Sequence, residues 1–350
     1  MIPMKKVEIF CGTGGVGKTT TATARAVYLA SLSKKVLLIT IDPAKRLKQI
    51  LNIKDENDGE ITTIPLSLFD ESLSGSFDTM LMSSTATLKR ISKELKVEAE
   101  FNSGIIETLS KPNSGMNEIM SIVEVQYQLE KNLYDCIVLD TPPGKHFIDF
   151  LEASEKIKNF FDKSFIEIFE FIGKNVDGKK PKGLIKNLLS TGINKLLSYL
   201  EGVTGKEFVR EFIDTVLVLY SCKDSFLKAL SFQSDLKKEE FSNWFLVTSV
   251  EQQKLSEAFE LKAIAQKFFH RDHFLIINKS LNSYLHNWEP KDSAELSKLK
   301  RTLLTSENNI NHFAHENFSN VIKLDEVLDS KPQNQVRDLF HQFQKIDQIK

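Results

Sequence analysis

Near its start the chain passes from an apolar segment through a glycine-rich turn into helix-compatible sequence, VEIFCGTGGVGKTTTA, from Val7 to Ala22. Gly12, four further residues, then Gly17, Lys18 and Thr19 form the pattern G-x-x-x-x-G-K-[ST]. The strand before it and the helix after it are the context a phosphate loop requires. Gly14, Gly15 and Gly17 carry no Cβ, so the backbone there can take positive φ and present successive N–H groups to a phosphate at close range. Lys18 is placed to reach the β and γ phosphates, and the Thr19 hydroxyl to ligate Mg²⁺. A helix from Lys18 to Ser31 would add its N-terminal dipole to the same anion site. The run Gly12, Thr13, Gly14, Gly15, Val16, Gly17, Lys18, Thr19 and Thr20 is therefore the expected nucleotide cradle, with ATP and Mg²⁺ as its expected ligands.

The apolar runs that follow extend this unit into a sheet. Lys35 to Ile41 (KVLLITI) and Tyr134 to Leu139 (YDCIVL) are nearly continuous apolar segments of strand length, as expected of parallel strands covered on both faces. Ile61 to Leu66, Trp244 to Thr248, His273 to Asn278 and Asn320 to Leu324 are further strand candidates, while 72–132 reads as mostly helical. Strands alternating with helices predict a doubly wound parallel α/β sheet. At 350 residues the chain exceeds the size at which one core stops growing, so a main domain with a substantial insertion is expected. The expected division gives 1–70, 133–150 and 236–350 to the sheet domain, and 71–132 and 151–235 to a helical subdomain.

Within that insertion, Ile157, Phe160, Phe161, Phe165, Ile168, Phe169 and Ile172 follow the spacing of one helix face, and Ile185, Leu188, Leu189, Leu196, Leu197 and Leu200 form a second stripe. Two readings of the stripes stand open: they pack on each other, or they line a groove for an apolar client, as the extra apolar residues Ile166 and Phe171 suggest. A last stripe, Val336, Leu339, Phe340, Phe343 and Ile346, fits a helix packed on the sheet better than a membrane-surface helix, because its polar face carries charges of both signs.

Charge and cysteines narrow the partners. With 46 basic and 47 acidic side chains there is no global basic field for nucleic acid or anionic lipid. Cys11, Cys136 and Cys222 are far apart and form no C-x-x-C pair, which argues against a disulfide framework or a zinc knuckle and for a reducing cytoplasm. Cys11 and Cys136 fall inside predicted strands and are expected to be buried. A soft As(III) ion would want several thiolates together, so arsenite is not the expected effector. His270 with His273 and His312 with His315 have metal-like spacing, but no sulfur or acidic ligand completes either set.

Chemistry gathers at strand ends, where ligands of parallel sheets sit. Asp42 opens DPAKRL and Asp140 opens DTPPGKH. One carboxylate can orient or deprotonate an attacking water, and the other can hold a water bound to Mg²⁺. Catalytic roles are therefore expected of Lys18, Asp42 and Asp140, with Thr19 and Asp140 at the metal.

GTGGVGKTT, DPAKRL and DTPPGKHFIDFL together resemble the family of arsenical pump-driving and tail-anchored-protein-targeting ATPases, most closely the bacterial branch of anion-transporting ATPases. SGMNEIMSIVEV before Asp140 and the pair Asn278-Lys279 are similar to further family landmarks. The resemblance implies a dimerising P-loop NTPase of the deviant Walker A class, a homodimer or a heterodimer with a related ATPase. Nucleotide would open and close it, and a helical subdomain would contact a client such as a membrane protein. It also implies that Asp42 is the switch I residue acting on water, that Asp140 to His146 form switch II, and that Asn278 reads the adenine edge. The protein would be cytoplasmic, meeting a membrane through a partner.

Family loops usually begin GKGGVGKT, with a first lysine that reaches the partner's nucleotide; here that position is Thr13. Loss of such a cation could slow hydrolysis by orders of magnitude, as with an arginine finger worth about 10³ to 10⁵ in rate. Three alternatives follow: another basic residue, among which Lys45, Arg46 and Lys145 are candidates; a partner that carries the charge; or slow hydrolysis with signalling by binding. The clustered cysteines and paired-cysteine zinc clamp of some family members are also missing. The expected function is an ATPase whose nucleotide state controls a client surface. A low-turnover nucleotide sensor in a hetero-oligomer or on a transporter is the second reading, and a partitioning or positioning ATPase on DNA or membrane a third, disfavoured by neutral charge and the large helical insertion.

Overall fold

The structure, a computed structural model, describes residues 2–41, 45–53, 58–96, 116–160, 202, 223–268, 270, 273–290 and 293–348. The strands are β1 (Val7–Gly12), β2 (Val36–Thr40), β3 (Ile61–Pro65), β4 (Ser76–Leu81), β5 (Cys136–Asp140), β6 (Ser242–Ser249), β7 (Phe274–Ser280) and β8 (Asn320–Asp325). The described helices begin with α1 (Lys18–Ser31), α2 (Lys45–Leu51), α3 (Ser84–Leu95), α4 (Met116–Lys131) and α5 (Lys145–Phe160). They continue with α6 (Lys223–Leu236), α7 (Gln252–Ala265), α8 (Asn282–Asn287), α9 (Ala294–Asn317) and α10 (Pro332–Gln348).

All eight strands form one sheet in the order β3-β4-β2-β5-β1-β6-β7-β8. Every pairing is parallel except β3 with β4, which is antiparallel and closes one edge. The expected α/β architecture is present, with one correction: the stretch 72–132, read as helical, contains β4. Its sequence SFDTML mixes Asp78 and Thr79 with apolar residues, and each polar side chain finds a distant partner. Tyr134 and Thr63 donate to the two Asp78 oxygens at 2.9 and 2.6 Å, and Thr79 donates to the Leu38 carbonyl at 3.1 Å.

By internal contacts the chain divides into two units, Met1–Met82 with Tyr127–Leu151 and Gln233–Lys350, and Ser83–Gln126 with Glu152–Phe232. In the first, β1 sits mid-sheet with all six residues buried, and α1 is buried along nearly its whole length, Ala22, Ala24 and Ala26 among its fully buried residues. A buried ion pair joins the same two elements: Arg25 of α1 donates to Glu8 of β1 through Nε at 2.9 Å and Nη2 at 3.0 Å, and neither side chain is exposed. Burial works against the guanidinium charge, but the adjacent Glu8 carboxylate outweighs it and holds the Arg25 pKa above its ordinary value.

The C-terminal stripe is a buried helix face. Val336, Leu339, Phe340 and Phe343 are all buried, and the Phe340 and Phe343 rings lie 6.5 Å from Tyr28 of α1, so α10 packs over α1. Cys11 and Cys136 are fully buried in β1 and β5, as expected; Cys222 lies outside the described residues.

In the second unit, Glu124 of α4 accepts from Thr87 at 2.9 Å and from Arg90 at 2.8 Å, both on α3. Apolar burial there includes Leu88, Ile91, Ile157, Phe226 and Phe232. Of the two expected apolar stripes, all beyond Phe160 lies outside the described residues, so core and groove are not distinguished.

Candidate functional site

Parallel registration brings three strand ends together. Asp140, the last residue of β5, lies beside Phe10 of β1 and Thr40 of β2. The chain after β5 then hydrogen-bonds to the end of β1: Thr141 donates its N–H to the Phe10 carbonyl at 3.2 Å, and Gly144 donates to the Gly12 carbonyl at 3.2 Å. On the other flank Ser249 of β6 pairs with Asn278 of β7. Since β1 leads to β2 on one side and β6 leads to β7 on the other, the glycine-rich turn sits where the strand order diverges, the usual ligand crevice of such sheets.

The turn itself needs two of its glycines for distinct reasons. At Gly12, φ is +147° and a Cβ would lie 2.2 Å from the Val247 carbonyl oxygen, so the end of β1 can pass β6 only without a side chain. At Gly17, φ is +91° and a Cβ would lie 2.4 Å from Asn278 Nδ2. Gly15 also has positive φ, at +81°, whereas Gly14 does not, a difference from the expected left-handed run.

A cavity of about 490 Å³ opens over this turn, within the range of small-molecule sites. One end is formed by Gly14, Gly15, Gly17, Lys18, Thr19 and Thr20, the entry to α1, whose first-turn N–H groups have no partner inside the helix. Lys18 Nζ donates to the Thr13 carbonyl at 2.9 Å, folding the lysine over the loop. The floor carries Asp140, 3% exposed, which accepts from Thr40 Oγ1 at 3.4 Å. Burial pushes the thiol of Cys11, in β1 just before the turn, up to about 12, so it is neutral at ordinary pH.

The structure thus brings together Gly14, Gly15, Gly17, Lys18, Thr19, Thr20, Asp140 and Asn278. Gly12, Thr13 and Val16 support the turn without lining the cavity: Val16 is 1% exposed in the core and Thr13 is 7% exposed. Asn278 uses one amide N–H on the Val16 carbonyl at 2.9 Å, which ties β7 to the loop. Asp42 lies outside the described residues, as does the Lys45 side chain.

Lys279, of the landmark pair with Asn278, also lines the cavity. Four further lining residues were not placed at the site from sequence: Glu326 and Val327 after β8, and Gln335 and Leu339 of α10. Applying the strand-end rule to β8 as well would have pointed to Glu326 and Val327. Gln335 and Leu339 needed knowledge that α10 folds back beside α1.

Among the described residues no group of three or more His, Cys, Asp or Glu side chains could hold a metal. Magnesium does not need one, since it is commonly held by one or two carboxylates with substrate phosphates and waters. The Thr19 hydroxyl and the Asp140 carboxylate supply hard oxygen donors to the same cavity, so the residues fit that ion.

The sequence profile of the anion-transporting ATPases matches residues 5–302. The chain belongs to that family. The arsenical pump-driving ATPase 2 of Aquifex aeolicus is 31% identical to this family member over 163 residues, covering 45% of this chain and 52% of that protein. ATPase get3 of Botryotinia fuckeliana is 28% identical over 222 residues, covering 60% of each chain. ATPase get3 of Aspergillus terreus is 34% identical over 143 residues, covering 40% of this chain and 41% of the relative. The chain therefore spans about half of the length of the relatives it matches. Among the described residues no helix is long and apolar enough to cross a membrane.

Proposed function

We propose that this member of the anion-transporting ATPase family binds ATP with Mg²⁺ in the cavity over Gly14 to Thr20 and hydrolyses it to ADP and phosphate. The observation that carries the reading is the meeting of three strand ends at one cavity: the phosphate loop after β1, Asp140 at the end of β5, and Asn278 near the end of β7. The N-terminal amides of α1 and Lys18 bind the polyphosphate. When bound, Mg²⁺ neutralises charge on the β and γ phosphates. Thr19 and Asp140 would hold it. Asp42, between β2 and α2, orients the attacking water and takes its proton as the bond from γ-phosphorus to the bridging oxygen breaks. Asn278 reads the adenine edge, its Oδ1 accepting from the exocyclic amino group while one N–H stays on Val16.

By family likeness the working unit is a dimer in the cytoplasm, with a related chain or a second copy. Opening and closing with nucleotide would control a client surface on the second unit, Ser83–Gln126 with Glu152–Phe232. One relative's name, arsenical pump-driving ATPase, and the sequence resemblance to tail-anchored-protein-targeting ATPases set the two client classes to test, a membrane transporter and a membrane-protein client. Steady-state phosphate release with Mg-ATP tests the site. Lys18→Ala and Asp42→Asn should each lower the rate at least tenfold; an appreciable rate unchanged by both would show that the site is misassigned.

A second reading, a sensing subunit with little turnover, is favoured by Thr13, which is buried and supplies no cation to the cavity. Purification from native extract that recovers only homodimers with brisk ATP hydrolysis would exclude it.

A further inference from the structure

A nucleoside triphosphate brings several negative charges into a cavity that already holds the carboxylates of Asp140 and Glu326. Among the described residues three cationic side chains line that cavity: Lys18, Lys279 and Arg46. Lys18 belongs to the phosphate loop. Lys279 follows Asn278 in a left-handed backbone conformation, with φ +63°. Arg46, in the first turn of α2, enters from the opposite side of the sheet order.

What distinguishes Arg46 is its partner. Its Nη2 donates to Oε1 of Gln335, a neutral amide, and among the described residues no carboxylate pairs with it. Lys48, two residues on, is by contrast bound to Asp58 at 2.9 Å. Gln335 is itself held in place, donating Nε2 to the Asp329 carbonyl at 2.6 Å. Gln333 of the same helix donates to the Gln49 and Ile50 carbonyls at the end of α2, both at 3.0 Å. Two contacts thus fix α2 against the start of α10 and hold at the cavity a guanidinium that no carboxylate of the described residues neutralises. Thr13 contributes nothing there, and Lys145 is exposed and does not line the cavity.

We propose that Arg46 supplies, within one chain, positive charge to the polyphosphate of the bound nucleotide, exchanging its bond to Gln335 for phosphate oxygens. This rests on the reading of the cavity as a nucleotide site. A guanidinium presents its donors as a planar fork that matches phosphate, and a bond to a charged acceptor is roughly twice as strong as one to a neutral amide, so the exchange is favourable. It also loosens α2 from α10 when nucleotide enters. Occupancy is then felt at α2, which directly follows Asp42 in the chain.

The test is equilibrium binding of inorganic tripolyphosphate and of ATP, each with Mg²⁺, to the full chain and to Arg46→Ala, Arg46→Lys and Gln335→Ala, with thermal unfolding to check that each variant folds. Arg46→Ala should weaken both ligands by roughly 10- to 100-fold, the loss expected for a charged hydrogen bond. Arg46→Lys should lose less, and Gln335→Ala, which keeps the guanidinium, should lose less tripolyphosphate affinity than Arg46→Ala. Three results would overturn the proposal: unchanged affinity in Arg46→Ala; weakened ATP binding with unchanged tripolyphosphate binding, which places Arg46 against the nucleoside; or equal losses in Gln335→Ala and Arg46→Ala, which makes the arginine a structural tether. If the parent binds neither ligand, the nucleotide reading fails first, a result distinct from all three.

Discussion

Removing the Glu8 carboxylate tests how the phosphate loop is anchored, because Glu8 and Arg25 join the strand before the loop to the helix after it. In Glu8→Ala, two charge-assisted bonds of 2.9 and 3.0 Å are lost and the Asn243 amide loses an acceptor at 3.3 Å. The guanidinium, fully buried, keeps the Ile2 carbonyl at 3.3 Å, Asp347 at 3.8 Å and the faces of the Tyr28 and Phe343 rings at 5.4 and 5.8 Å. Removing one member of a buried pair costs about 3 to 5 kcal/mol, and the surviving contacts place this case near the lower end, about 3 kcal/mol. That is a large part of the 5 to 15 kcal/mol a domain typically has. Urea unfolding followed through buried Trp244, with Trp288→Phe removing the second tryptophan signal, measures it. Replacing both partners, Glu8→Leu with Arg25→Met, should recover most of the loss, because the cost lies in the uncompensated charge. Asp235→Ala, which breaks the exposed pair with Lys238, is the control and should leave the midpoint in place. A Glu8→Ala unfolding free energy within about 1 kcal/mol of the parent's, or a double variant no better than the single one, would refute the reasoning.

Gly17→Ala should lower ATP affinity at least tenfold with less effect on unfolding, because it strains a left-handed backbone by about 1 to 2 kcal/mol and displaces the Asn278 amide from Val16; isothermal titration checks it. Glu307 of α9, 5% exposed, accepts from Ser280 Oγ at 2.7 Å and from the Leu281 N–H at 2.6 Å, just after Asn278 and Lys279. As a positioning residue it should show in KM: Glu307→Leu raises KM for ATP several-fold more than it lowers kcat, and Glu307→Gln restores most of the difference. The Cys11 thiol, raised to about 12, holds a thiolate fraction near one in ten thousand at pH 8. In a Cys222→Ser background a thiol reagent should therefore label nothing in the native protein and two sites after unfolding, and rapid native labelling would count against the burial.

The central strands were legible in the sequence because they are covered on both faces: VEIFCG, VLLIT and CIVLD are nearly unbroken apolar runs. β4 was not, because Asp78 and Thr79 look like solvent-facing residues until Tyr134, Thr63 and the Leu38 carbonyl are brought beside them by pairing. The C-terminal stripe gave a helix and its buried face correctly, but not its partner, Tyr28 of α1. At the site, local spacing was enough for Lys18 and Thr19, and strand-end position was enough for Asp140. The opposite wall, Glu326, Val327, Gln335 and Leu339, is more than 300 residues from the loop in sequence and is set by strand order. Arg46 was one of three basic candidates, and only the cavity lining separates it from Lys145.

The account stands most directly on whether the cavity above α1 takes a nucleoside triphosphate. Titration of a non-hydrolysable ATP analogue with Mg²⁺ into the full chain, by calorimetry, should give saturable binding with one site per chain. Lys18→Ala should weaken it by at least tenfold while leaving thermal unfolding of the free protein within a few degrees. Saturable binding that is the same in the parent and in Lys18→Ala, or no binding by a folded parent, would contradict it.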